Sequence, residues 1–296
     1  MLFYICSVTL DGMKRPSVKT FQELILSWHQ KHGRHELPWR RPADIRDPYR
    51  VLVSEVMLQQ TQVDRVIPKY KSFLKKFPTP KALAGASTRA LLTEWKGLGY
   101  NRRALFLRRS AEKITGELHG VFPSDEAGLH ALPGVGEYTA RAVSVFCFNR
   151  PMVFIETNIR RVFIHFFFHD RARVTDTEII PLIQKTLWKK DPRLWYGALM
   201  DYGATAVKGI PNPNRRSAGY ARQSKFEGST RYARAKVLAL FLRKRRVSPP
   251  DLKEYVTSDP LLKKYRGRPA RMAILGTLER DGFLERHAGA WRIRKK

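Results

Sequence analysis

From Ser17 to about Val207, apolar residues return every three or four positions, as in Phe21-Leu24-Ile25-Trp28, Leu52-Val56 and Leu107-Ala111-Ile114. That spacing puts them on one face of a helix, and glycines and prolines punctuate the short joints between such runs. No run alternates as a strand would, so this segment reads as a compact all-α domain. Between Gly203 and Lys236 the pattern breaks. Gly209, Pro211, Pro213, Gly219 and Gly228 fall in a strongly basic stretch, which reads as an irregular, surface-hugging connector. Beyond it a helix is predicted over Arg231–Arg246. A second is capped by Ser248-Pro249-Pro250-Asp251 and runs through Val256, and a third covers Pro269–Arg280. A hairpin over Phe283–Ile293, turning at Ala288-Gly289, closes the pattern. Three helices followed by a two-stranded wing is the winged-helix order. The expected organisation is an N-terminal extension (1–16), a helical domain (17–207), a basic connector (208–229) and a small winged-helix-like α+β domain (230–296).

Charge changes the picture more than composition does. Of 296 residues, 56 are basic and 26 acidic, a formal net charge of +30. Self-repulsion on that scale suits a surface that faces a polyanion, nucleic acid before others, although ribosomal and membrane-surface proteins share the bias. From Lys208 onward 24 basic residues stand against 7 acidic ones, which favours phosphate contact over protein docking in the tail. Cys6 and Cys147 are the only cysteines, too few for a disulfide framework or a four-cysteine metal site, and the chain reads as intracellular and reduced. The first ten residues are apolar but carry no basic leader and are too short to span a bilayer. Met13 is an alternative start to Met1. Nothing else approaches membrane-spanning length, so the expectation is a cytoplasmic, or nucleoid-associated, monomer without a membrane partner.

The strongest local motif is Leu132-Pro133-Gly134-Val135-Gly136-Glu137-Tyr138-Thr139, a hairpin joining two helices. Its glycines let backbone approach a phosphate, and amides at the following helix start point at it. Such a hairpin grips DNA without reading sequence; the alternative is a tight turn whose glycines serve geometry only. Leu37-Pro38-Trp39-Arg40, Ser54-Glu55-Val56-Met57-Leu58-Gln59-Gln60-Thr61-Gln62-Val63, Gly97-Leu98-Gly99-Tyr100 and this hairpin occur in one order. In order and spacing the set resembles the MutY adenine glycosylases of the helix-hairpin-helix (endonuclease III-like) superfamily, over roughly residues 20 to 223. The resemblance implies an all-α, two-lobed glycosylase fold. It also implies cleavage of the N-glycosidic bond of a mispaired base in double-stranded DNA during base excision repair.

That reaction needs a proton for the departing base and negative charge beside the developing oxocarbenium ion. Glu55 lies among Val53, Val56, Met57 and Leu58, where desolvation raises a carboxyl pKa and keeps the acid protonated. The resemblance gives it the task of protonating the base. The second carboxylate departs from the family's Asp-Gly-Asn: here Val153-Phe154-Ile155 leads into Glu156-Thr157-Asn158. Glu156 keeps the charge with one more methylene, or serves only at the helix start. Tyr138 stands where relatives that cleave the strand carry a lysine. Without an amine no Schiff base forms, so a monofunctional enzyme without strong lyase activity is expected. By resemblance Gln60 wedges into the duplex and Tyr100 stacks beside the opposite base. Leu132, Gly134, Val135, Gly136, Thr139 and Asn158 contact DNA, and Trp39 and Arg40 line the base pocket.

The family usually holds a four-iron cluster on four cysteines. At the corresponding spacing this chain has Val207, Asn214, Ser217 and Gln223, none able to supply a thiolate, so no cofactor is expected. The expectation is that Tyr220 and Phe226 pack the loop in the metal's place while Lys208, Arg215, Arg216 and Arg222 touch DNA backbone. The Ser54–Val63 run argues for adenine opposite 8-oxoguanine or guanine. Gly197, where the family carries Gln or Glu facing adenine, keeps thymine or uracil opposite guanine open. Glu156 keeps open a DNA-binding protein without catalysis.

Overall fold

The computed structural model describes residues 15–207 and 211–296. Both candidate starts, most of the N-terminal extension and Lys208 lie outside the described residues. In chain order the helices are α1 (Val18–His32), α2 (Pro42–Ile45), α3 (Pro48–Leu58), α4 (Val63–Lys76) and α5 (Pro80–Ala84). Next come α6 (Thr88–Trp95), α7 (Arg102–Thr115), α8 (Glu126–His130), α9 (Glu137–Phe146) and α10 (Thr157–Phe167). The last five are α11 (Asp176–Thr186), α12 (Pro192–Thr205), α13 (Thr230–Arg243), α14 (Pro249–Ser258) and α15 (Arg268–Arg280), followed by strands β1 (Leu284–His287) and β2 (Ala290–Ile293). Side-chain oxygens of Ser17, Thr79, Ser87, Asp125, Asp191, Ser229 and Ser248 cap helix starts by accepting first-turn amides. The helical expectation for the first two thirds of the chain holds. Among the described residues no helix is long and apolar enough to cross a membrane.

Two compact units result, and the chain crosses between them three times. The first joins the residues up to Glu55 with Phe122–Arg222. Its core gathers around Phe21 of α1, whose ring meets Phe163, Phe166 and Phe167 of α10 and Trp195 of α12 edge-on at 5.0–5.7 Å, a geometry that adds to the area buried. The second unit joins Val56–Val121 with Gln223–Lys296. Phe73 and Trp95 lie at its centre, with ring centroids 5.9 Å apart and both side chains fully buried.

Within that second unit the C-terminal segment has the predicted winged-helix order. β1 and β2 pair antiparallel, Leu284 opposite Ile293. Ala288 and Gly289 both take positive φ, 46° and 71°, as a tight two-residue hairpin turn requires. The first helix stops at Arg243 rather than Arg246, because Val247 leaves it to exchange backbone hydrogen bonds with Trp291 of β2 at 3.2 and 3.4 Å. The Arg89 guanidinium of the helical lobe donates to the Leu242 carbonyl at 2.7 Å, and the Thr88 amide donates to the Lys295 carbonyl at 3.4 Å.

Candidate active site and nucleic-acid interface

The first unit brings Glu55, Tyr138 and Glu156 together from three helices. Glu55, on α3, is only 7 % exposed. Burial pushes its carboxyl up to about 7, the charge of Glu156 adding to the rise while the Tyr138 hydroxyl and Arg40 oppose it. Tyr138, in the first turn of α9, donates its hydroxyl to Glu55 Oε2 at 3.3 Å. Burial first, then the charges of Glu55 and Glu156, hold that phenol well above its ordinary value, so it is a donor and not a phenolate. Glu156 is the N-cap of α10: Oε1 accepts the amides of Asn158 and Ile159 at 2.7 and 2.8 Å, and Oε2 accepts the Asn158 side chain at 3.3 Å. Burial pushes its carboxyl up, against the two amides and the nearby Arg160 and Arg161.

The segment leading into Glu156 is held by residues that sequence reasoning missed. The Tyr196 ring stacks on Phe154 at 4.0 Å, its hydroxyl donates to the Met152 carbonyl at 2.9 Å, and it accepts the Phe154 amide at 3.3 Å. Arg141 donates to the Val153 carbonyl at 3.0 Å. Asp201 is also new to the site. Fully buried on α12, it accepts Arg40 Nη1 at 2.6 Å and Nη2 at 2.9 Å, and Arg34 Nε at 2.7 Å. Burial pushes this carboxyl up, but His29, Arg40 and Arg34 outweigh it and hold it well below the usual carboxylate range. Arg40 is therefore fixed by Asp201, with Nη2 3.5 Å from the Gly197 carbonyl. Trp39 is buried beside it in sequence, 8 % exposed.

The hairpin presents backbone, not side chains. Leu132, Val135 and Thr139 are buried and anchor the turn in the core, so any contact they make with DNA runs through their backbone. Gly134, at φ 77°, and Gly136 are exposed, and Gly136 starts α9 with no side-chain cap. A helix start of this kind suits a phosphate.

In the second unit, Gln60 and Tyr100 are both exposed and both take left-handed backbone, φ 51° and 45°, a conformation that non-glycine residues adopt only at a cost. One buried guanidinium holds both turns. Arg103 donates to the carbonyls of Val56 and Gln59 at 2.7 and 2.6 Å, and to those of Leu98 and Gly99 at 3.1 Å each. Burial brings its pKa down to about 10.

The residues at the cluster positions do not fit an iron–sulfur cluster. Val207 is buried in the core, Asn214 donates its side-chain amide to the Thr157 carbonyl at 3.0 Å, and Ser217 makes a backbone bridge to Val174. Gln223, in the second unit, donates to the Tyr100 hydroxyl. Among the described residues no cluster of potential metal ligands occurs. The loop is held by a cation instead. Arg216 Nη1 donates to the Phe168 and His169 carbonyls at 2.6 Å each, capping the end of α10, and its own carbonyl accepts the Val174 amide at 2.8 Å. Two expectations are corrected here. Tyr220 and Phe226 are 45 % and 46 % exposed and do not pack the loop, and Arg216 is engaged by carbonyls instead of facing phosphate.

Helical lobes, an uncapped helix-hairpin-helix turn and an acid buried beside a second carboxylate define a base-excision type of protein. Residues 53–189 match the family described as HhH-GPD superfamily base excision DNA repair protein. The chain is 34% identical over 232 residues to an adenine DNA glycosylase of Mycolicibacterium smegmatis, covering 72% of this chain and 78% of that one. It is 36% identical over 199 residues to that of Buchnera aphidicola subsp. Baizongia pistaciae, covering 66% of this chain but only 55%, about half, of the relative. A solved structure of a thermostable thymine-DNA glycosylase aligns with a TM-score of 0.57 at 25% identity, over 64% of this chain and 86% of that one. The chain belongs to the HhH-GPD superfamily, on its MutY-like branch.

Proposed function

We propose that the chain is a monofunctional DNA glycosylase that releases adenine mispaired with 8-oxoguanine or guanine from double-stranded DNA. The observation that carries this reading is Glu55, a buried acid poised at about 7 with Tyr138 donating to it and Glu156 close enough to raise it. A carboxyl in that range is protonated and still able to give up its proton near neutrality, as protonation of a leaving base requires. Glu156, with its carboxyl oriented by two amides at the start of α10, supplies the charge beside the developing oxocarbenium ion. Tyr138 offers no amine, so the strand is left intact and no lyase step follows. The polypeptide works without an iron–sulfur cluster, Arg216 and Asn214 ordering the loop in its place.

A second reading, removal of thymine or uracil opposite guanine, is favoured by Gly197. A Cβ there would meet nothing closer than Arg40 Nη2 at 3.9 Å, and glycine offers no hydrogen bond by which adenine would be selected. The deciding experiment is base release from duplexes carrying A opposite 8-oxoguanine, A:G, T:G and U:G, each developed with and without alkali. Breakage of the adenine strand only after alkali is expected. Breakage confined to T:G or U:G would replace adenine by the pyrimidine reading. Tight binding with no release on any duplex would leave a DNA-binding protein without chemistry.

A further inference from the structure

Asp201 is a carboxylate that the chemistry outlined above does not use. Its side chain is fully enclosed on α12, and both of its oxygens are saturated. Oδ1 accepts Arg34 Nε at 2.7 Å and Arg40 Nη2 at 2.9 Å. Oδ2 accepts Arg40 Nη1 at 2.6 Å and the Arg34 amide at 2.8 Å, and His29 Nε2 of α1 lies 3.3 Å from it. The Arg40 guanidinium is thus gripped at two points, which fixes its plane as well as its position. Its other donors turn to backbone: Nη1 is 3.3 Å from the Arg34 carbonyl and Nη2 3.5 Å from that of Gly197.

Such a cluster is an expensive way to fasten α1 to α12. Buried ions lose their hydration, and apolar side chains of similar volume hold two helices together at least as well. What apolar packing could not supply is control of a cation. Among the described residues, Tyr138 of α9, Glu156 at the start of α10 and Arg40 from the segment before α2 are the groups that face Glu55. Of these only Arg40 is positive, and it favours the ionised form of Glu55, against burial and Glu156. A cation left without a counter-ion beside a carboxyl draws the proton off it, and an ionised Glu55 has nothing to give a departing base. Asp201 is the counter-ion of Arg40, and His29 and Arg34 complete the set of charged groups around it.

We propose that Asp201 is a positioning residue for the chemistry of Glu55: by gripping Arg40 at two points it both fixes that guanidinium and neutralises it, so that Glu55 remains an acid. The use of the proton rests on the glycosylase reading. The electrostatic link from Asp201 through Arg40 to Glu55 rests on the buried cluster alone.

The link is read on the full-length protein in two ways. Carbon NMR of isotopically labelled glutamate carboxyls, with Glu55 assigned through Glu55→Gln, follows its titration without any reaction. The pH profile of single-turnover base release follows the same group through its alkaline limb. Asp201→Asn is expected to lower the Glu55 titration by about one unit or more. Release should then fall ~10-fold at about pH 8 and be nearly spared at about pH 5. Arg40→Met is expected to move the titration upward instead, and the double variant to return towards the parent. Should Asp201→Asn fail to fold, the upward shift in Arg40→Met decides alone. A titration unmoved in these variants, or a loss of release equal at every pH, would reduce the cluster to a fastening between helices and overturn the proposal. A shifted titration with no base release from any duplex would sink the glycosylase reading and keep the link. Base release with an unshifted titration would do the reverse.

Discussion

At the scale of single residues, Glu55 carries the sharpest expectations. Its carboxyl titrates near its ordinary 4.5 in the unfolded chain and near 7 when folded. Between those values the folded state holds a proton that the unfolded state has released. Stability therefore falls as pH rises from about 4.5 to about 7, by about 3 kcal/mol in all. Glu55→Gln removes this titration. By calorimetry its Tm should exceed the parent's at about pH 8 and match it at about pH 4. Base release, measured in single turnover, should fall at least ~100-fold in the variant, and in the parent should decline above about pH 7. Gly197→Gln gives the complementary result. A Cβ at this position meets nothing closer than Arg40 Nη2 at 3.9 Å. The variant should raise adenine over thymine release by ~10-fold or more, because a buried amide rejects the base that cannot pair with it. The elevated acid was legible from its apolar neighbours. The Asp201 anchor was not, since Arg34 and Asp201 stand 167 residues apart and only the packing of α1 and α12 makes them partners.

Among the helices, two contacts decide how the site is held. Gly203 of α12 lies so close to α10 that a Cβ would come within 2.3 Å of the Asn158 carbonyl, the residue whose amide orients Glu156. Gly203→Ala should therefore cost about 2 kcal/mol or more by chemical denaturation and depress base release beyond its effect on folding. At the other end of α10, Arg216 satisfies carbonyls that a helix end leaves without partners. Arg216→Met should lower stability by about 2–4 kcal/mol. The wild-type melt should not respond to chelators or oxidants; a melt that collapsed on chelation would show that metal, not Arg216, holds the loop. Element order was readable from hydrophobic spacing and caps, including the wing. The use of Arg216 was not. A basic residue in a basic stretch reads as a phosphate contact, and only the fold reveals that the end of α10 claims it.

The whole molecule combines a net charge of +30 with a chain that crosses between its two units three times. Charge on this scale implies that duplex binding is dominated by counterion release. Affinity for undamaged DNA should fall ~10³-fold or more between about 50 and 200 mM salt. The C-terminal residues 223–296 belong to the same compact unit as 56–121, tied to it by Arg89 and Thr88 hydrogen bonds and by shared packing. The winged-helix-like segment is thus part of a core as well as a source of cations. A chain ending at residue 222 should lose both contributions at once. Its salt slope should drop by several phosphates' worth, because each neutralised phosphate contributes about 0.9 to the slope. Its Tm should also fall, since apolar side chains such as Leu91 and Trp95 lie in a unit that has lost its other half. Measuring both separates two architectures. A reduced salt slope with an unchanged Tm would make the segment an appendage that merely adds charge. A fall in both would show that the fold of the Gln60 and Tyr100 turns depends on it, and that a segment rich in cations also completes the unit.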